Sequence, residues 1–248
     1  MDEIEAIERA TLAAVPPQRQ ERWGGWLLAF DDGTVGRCHS AAPLRHDTPR
    51  ADCLGEIERR YAEARLPPVL RVPDLPAFAG LVLQLQARGY ARSKPTLVQT
   101  SLVTGLAAGG AGAVPVEVAD RPGPDWEQVF LGEGFDPRDG ASRLAILRRG
   151  RDSVFASVHE AGRTIAVGSA CFSGGWCGVH GMRTLPAHRG RGLAGGVLSA
   201  LAEAARRRGV ERCFLQVEQG NAVARSLYAG RGFSTAWSYG YWKQQLPA

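Results

Sequence analysis

The chain has 248 residues, 44% hydrophobic and 22% charged, which suits a folded globular protein with one large core or two modest ones and excludes disordered and fibrous classes. No apolar run approaches a membrane span, and the acidic start MDEIEAIERA lacks the basic and then apolar character of a secretion signal, so a soluble cytoplasmic protein with no membrane contact is expected. The formal net charge is +5, yet 28 of the 30 basic residues are arginines scattered among 25 acidic residues, Lys94 and Lys243 being the two lysines, and this scatter disfavours a nucleic-acid surface. The five cysteines (Cys38, Cys53, Cys171, Cys177, Cys213) are odd in number and include no Cys-x-x-Cys pair, so neither a disulfide framework nor a metal site is expected.

In chain order, Ile4 and Ile7 mark a short amphipathic helix that Pro16-Pro17 stops, and residues 26–30 read as a strand. Asp31-Asp32-Gly33 supplies turn chemistry before a second strand from Thr34. A helix over 54–64, an apolar run over 69–72 and a helix over 81–88 ending in Gly89-Tyr90 follow. Residues 104–115, TGLAAGGAGAVP, are glycine-rich and uncharged, the composition of a linker. Taking the linker as 106–115 divides the chain into domains 1–105 and 116–248. Beyond it, residues 114–118 are strand-like, helices fit 125–131 and 139–149, and strands fit 153–159, 164–172 and 178–184. A long helix, a strand over 213–218, a helix from Asn221 and an aromatic strand over 233–243 complete an α/β or α+β pattern.

The two portions carry a weak repeat. Pro43 matches Pro186, Val72 matches Val217, and Arg88-Gly89-Tyr90 matches Arg231-Gly232-Phe233, at separations of 143 to 145 residues.

Chemistry concentrates between Gly178 and Phe233. There Arg189-Gly190-Arg191-Gly192-Leu193-Ala194-Gly195-Gly196 opens a helix whose Leu193, Val197, Leu198, Leu201 and Ala205 share one face. A glycine-rich turn at a helix start is an anion site, because free N–H groups converge, the helix dipole favours negative charge, and missing Cβ atoms let phosphate approach. A phosphorylated cofactor is the expected ligand. The spacing Gly190-x-Gly192-x-x-Gly195 also fits a dinucleotide fingerprint, with Glu218 as its ribose acid. Pro186 to Arg189 intrude between strand and first glycine, however, and only thirty residues follow Glu218, too few for further βαβ units.

The turn Arg189-Gly190-Arg191-Gly192-Leu193-Ala194, a strand ending in Glu218, the helix Asn221-Ala222-Val223-Ala224-Arg225-Ser226-Leu227-Tyr228 and then Gly232-Phe233 resemble, in that order, the GNAT superfamily of N-acetyltransferases. The resemblance spans about residues 165–243. It implies an α/β fold of two GNAT-like units, the C-terminal one a mixed, mostly antiparallel sheet flanked by helices with a splayed central strand pair. It also implies acetyl-CoA as co-substrate, without a metal. The N–H groups of Arg191, Gly192, Leu193, Ala194, Gly195 and Gly196 would hold the pyrophosphate in the turn opened by Gly190, and Arg189 and Arg191 would add charge. Met182, Arg183 and Thr184 would pair with the pantetheine arm, and residues 216–218 would line the gap.

By the same resemblance Tyr228 is the general acid toward the departing thiolate. Glu218 and then His180 are the candidate bases, with water as an alternative relay, and Asn221 either contacts pantetheine or caps its helix. The first portion lacks the glycine turn and has Leu85 where Tyr228 aligns, so it is expected to be degenerate and to wall the acceptor pocket. Its Trp23, Trp26 and Tyr61 are expected in the core. The acceptor is an amine, as a small molecule or a protein terminus, and the assembly a monomer or homodimer. An acyl-CoA sensor or partner-binding module is the alternative function, against which an intact Tyr228 argues.

Overall fold

A computed structural model describes residues 3–108, 115–132 and 136–245. Its helices are α1 (Glu3–Ala14), α2 (Cys53–Glu63), α3 (Ala79–Ala87), α4 (Val103–Ala108), α5 (Pro124–Leu131), α6 (Pro137–Arg149), α7 (Leu193–Arg207) and α8 (Ala222–Ala229). Its strands are β1 (Arg19–Trp23), β2 (Trp26–Phe30), β3 (Ala41–Pro43), β4 (Val69–Pro73), β5 (Tyr90–Leu102), β6 (Val116–Ala119), β7 (Ser153–Glu160), β8 (Arg163–Ser173), β9 (Trp176–Thr184), β10 (Arg212–Glu218) and β11 (Ser234–Gln244). All join one sheet, in the order β1-β2-β3-β4-β11-β5-β10-β9-β8-β7-β6.

Local chemistry explains most boundaries. Pro124 and Pro137 open α5 and α6 at positions that need no N–H, and the Asp136 side chain accepts the Asp139 N–H to cap α6. Arg206 and Arg207 end α7 where cations favour the dipole. A large core packs α7 (Val197, Leu198, Leu201, Ala205) on one face of the sheet, against Val154, Ile165, Val179 and Leu215. On the opposite face Ala6, Ile7 and Ala10 of α1 cover Val98, Phe214, Trp237 and Tyr239. Trp26, Tyr61 and Phe78 fill the core of the first portion, while Trp23 lies at its edge.

Three local expectations change. The strand expected from Thr34 is a short turn of 3₁₀ helix (Gly36–His39) before β3, because Asp31 Oδ1 takes the Gly33 N–H and bends the chain. The charged β1 and the polar β5 were not signalled by apolar alternation, yet β5 pairs along both of its edges. The glycine-rich segment starts as helix, because Val103 and Leu106 are buried and Ser199 Oγ donates to the Leu106 carbonyl at 3.0 Å. Residues 109–114 of that expected linker lie outside the described residues.

The portions interleave. β11, from the end of the chain, lies antiparallel between β4 and β5, and β5 lies antiparallel against β10. β3 runs parallel to β4 and β9 parallel to β10, and Gly89 and Gly232, both at positive φ (75° and 79°), precede β5 and β11.

Candidate active site

β9 and β10 pair only from Arg212↔Trp176 to Leu215↔Val179. Beyond that point β9 stays on β8 through Thr184, while β10 stays on β5 through Glu218. The strands therefore part, leaving the β10-facing edge of β9 free of a strand partner from His180 onward among the described residues. A free edge is a template for an extended ligand. Where the parting begins, β9 carries an extra residue between its pairings with Ser169 and Val167, and Gly181 takes φ 63° there. Such a bulge turns backbone groups out of the ladder.

At the mouth of the cleft, Gly190 (φ 76°) and Gly192 (φ 75°) both lie in the left-handed region, with nothing within 4 Å of where a Cβ would stand. The N–H groups of Gly195 and Gly196 turn inward to the Gly192 carbonyl (3.0 and 3.2 Å). Those of Gly190, Arg191, Gly192, Leu193 and Ala194 have no protein acceptor among the described residues. The free amides thus span residues 190–194, overlapping the expected stretch 191–196 at Arg191 to Ala194. Arg191 is held sideways by Glu160, to which it donates from both terminal nitrogens, with His188 alongside. That pair holds the Glu160 carboxyl below its usual range, chiefly through the Arg191 hydrogen bond. Arg189 forms no ion pair among the described residues and donates only to the Thr184 carbonyl at 3.4 Å. Arg231 crosses α7 to the Gly195 carbonyl (3.3 Å) and Ser199 Oγ (3.0 Å), over space that a Cβ on Gly195 would block.

Along the free edge, Met182 packs over Gly168 on the α7 face. Arg183 donates to the Leu131 carbonyl at the C-terminus of α5 (2.6 Å), and Thr184 pairs with Ala166. Asn221 Oδ1 accepts the Ala224 N–H at 3.1 Å and caps α8, the second of its two expected roles. Tyr228 projects from α8 into the α7-side core against Phe233, ring centroids 5.7 Å apart. Burial raises its pKa, and its hydroxyl has no protein hydrogen-bond partner among the described residues.

His180 and Glu218 part company. The His180 ring is buried beside Phe214 and turned back along the strand, so that a Cβ on Gly178 would lie 2.8 Å from Nε2. Burial pushes its pKa down to about 3, which keeps it neutral. Glu218 is exposed and, with Gln216, lines a pocket beside the cleft on the face that bears α1. The pocket measures about 180 Å³, and residues 34–37 of the first portion supply one of its walls. Below it Gln216 bridges α1 and β11, donating to Thr11 Oγ1 and accepting from Tyr239 Oη, both at 3.0 Å. Residues 34–37 fall where the first portion is expected to wall a pocket, whereas Lys94 and Lys243, which also line it, are not singled out as site residues from the sequence. The rarity of lysine was the available signal.

Residues 1–242 match the family model described as "Probable histone acetyltransferase Rv0428c C-terminal". The chain belongs to that family. This acetyltransferase is also 28% identical over 238 residues to the uncharacterized N-acetyltransferase YobR of Bacillus subtilis, covering 94% of this chain and 96% of that one. A GCN5-related N-acetyltransferase from Kribbella flavida shares the fold at TM-score 0.72 and 17% identity, covering 100% of this chain and 97% of the other. A tandem GNAT protein from the clavulanic acid biosynthesis pathway does so at TM-score 0.64 and 18% identity, covering 100% and 89%. The acetyltransferase thus has parted strands β9 and β10, a glycine turn at their mouth, a buried tyrosine on one face and a polar pocket on the other. Among its described residues no helix is long and apolar enough to cross a membrane.

Proposed function

We propose that the protein transfers an acetyl group from acetyl-CoA to a primary amine by direct attack in a ternary complex. The observation that carries this reading is the cleft between β9 and β10, with unpaired amides at its mouth and a free strand edge along its wall. The residues fit a diphosphate with an extended tail: open glycines and the N–H groups of residues 190–194 for the anion, and the edge at Met182, Arg183 and Thr184 for the amide-bearing arm. When bound, acetyl-CoA supplies an activated acyl thioester.

The chain's own groups then divide the proton work. A protonated alkylamine must lose a proton before it attacks, and Glu218 on the pocket wall accepts it directly or through water. His180, neutral and turned away, suits a packing role instead. A main-chain N–H at the Gly181 bulge stabilises charge developing on the carbonyl oxygen. Tyr228, whose hydroxyl lacks a protein partner and whose raised pKa keeps it protonated, gives a proton to the departing thiolate. We further infer that the chain is a tandem of two GNAT-like units, the first having lost its anion turn. Between β3 and α2 it holds Arg50 paired with Asp52 in place of glycines, and Leu85 stands buried where Tyr228 aligns.

Thiol release from acetyl-CoA against a panel of amines tests this reading. Amine-dependent release is expected, and Tyr228→Phe is expected to lower turnover by about 10²-fold or more with little loss of acetyl-CoA affinity. Turnover unchanged in that variant removes Tyr228 from the mechanism. Binding of acetyl-CoA without release against any amine indicates a sensor.

A further inference from the structure

The pocket beside the cleft gathers Arg37, Lys94, Arg143 and Lys243 against one carboxylate, Glu218. Arg143 is paired with Asp139 at 3.1 Å, whereas Arg37, Lys94 and Lys243 form no ion pair among the described residues. Elsewhere arginines such as Arg9, Arg59, Arg92, Arg148 and Arg206 meet carboxylates. The chain's two lysines, out of 30 basic residues, both line this one cavity, on the adjacent strands β5 and β11. Lysine presents a compact and flexible point charge where arginine presents a rigid fork.

The backbone at Lys94 strengthens the point. It adopts φ 46°, immediately before Pro95, where β5 carries an extra residue between its pairings Thr96↔Tyr239 and Ser93↔Tyr241. A left-handed conformation costs a side-chain-bearing residue about 1–2 kcal/mol, which glycine would avoid. A bulge re-aims the side chain it carries, and strain kept at such a position points to work done by that side chain. Lys243 is also held below the usual lysine range, first by partial burial and then by Lys94. Asp139, held by Thr34 and Arg143, also feels the charge of Lys94. Neither it nor Glu218 forms an ion pair with either lysine among the described residues, and like charges brought together in this way leave a site that an anion relieves.

Resting on the acetyl-transfer reading, we propose that the acceptor is a small amine bearing its own anionic group, a carboxylate or a phosphate, held by Lys94, Lys243 and Arg37 while its amino group faces Glu218. β10 lies one strand from β5 and two from β11. Glu218 pairs with Thr96, so strand spacing and a two-residue offset set it about 5–10 Å from Lys94. Lys243, paired with Ala91, stands farther along β5 and extends its long side chain toward the far end of the anion. The same cations repel a lysine-rich peptide tail.

Two matched pairs test this: γ-aminobutyrate with its amide, and ethanolamine phosphate with ethanolamine. Each is titrated into the protein by calorimetry and assayed for thiol release with acetyl-CoA. The anionic member of each pair is expected to bind and to turn over better than its neutral partner, and the stronger pair tells carboxylate from phosphate. In Lys94→Gln/Lys243→Gln the anionic-to-neutral ratio of kcat/KM is expected to fall about tenfold or more. Equal handling of neutral and anionic amines, a ratio that survives the double substitution, or faster acetylation of an oligolysine peptide overturns the proposal while the transfer reading stands. Lysine-dependent anion binding without thiol release from any acceptor overturns the transfer reading and leaves the anion site in place. Lys94→Gly supplies a fold control, since it removes the charge and the strain together and should leave Tm equal or higher while the ratio still falls.

Discussion

His180 shows how much of a residue's role is set by what surrounds it. The imidazole on β9 is a base candidate by position, yet burial against Phe214 holds its pKa at about 3 against an ordinary 6.5. The unfolded chain takes up a proton that the folded one refuses, so this group's contribution is complete above about pH 6.5 and is lost as pH falls toward about 3. The loss is on the order of a few kcal/mol at the acid end. Urea unfolding of wild type and His180→Gln across that window is expected to show a shallower acid decline in the variant. Parallel declines would mean that His180 is protonated in the fold. At Tyr228 the residue type and its place before Gly232-Phe233 were legible in the sequence, because spacing along a helix is local. The orientation of His180 and the strain at Lys94 were not, since burial and a bulge arise only when distant strands pair.

At the level of elements, the turn into α7 was the most legible feature, because glycines at positive φ and an amphipathic face are written in adjacent residues. Gly192 has open space but a left-handed φ of 75°, so conformation and ligand can be separated there. Gly192→Ala is expected to cost about 1–2 kcal/mol of stability, read as a lowered denaturation midpoint. Gly192→Glu, which adds a carboxylate at the amides, is expected to abolish acetyl-CoA binding in calorimetry as well. Intact binding in the Glu variant would place the anion elsewhere. β5 was illegible for a physical reason: its Lys94-Pro95 step breaks alternation, and its adjacent Leu97 and Val98 enter separate cores, so no single apolar face runs along it.

Across the whole molecule, the repeat anchors fall at equivalent places, with Gly89 before β5 and Gly232 before β11. What no local pattern showed is that these two strands cross over, each closing against the other portion's strands. The segment 116–248 made alone would lack β5 and leave one edge of β10 and both edges of β11 unpaired. We expect it to aggregate on its own and to become soluble when 1–105 is made with it, as size-exclusion chromatography would show. A monodisperse, folded 116–248 would mean that the exchange is dispensable. The crossover also brings Arg37 and Lys94 from one portion to Glu218 and Lys243 from the other, so the pocket exists only in the joined sheet. Amine-dependent thiol release from acetyl-CoA, measured on the whole chain beside Gly192→Glu, bears most directly on the central claim. Release matched one for one by acetylated amine and absent in the variant is the expected result; release that needs no amine, or that survives Gly192→Glu, would contradict it.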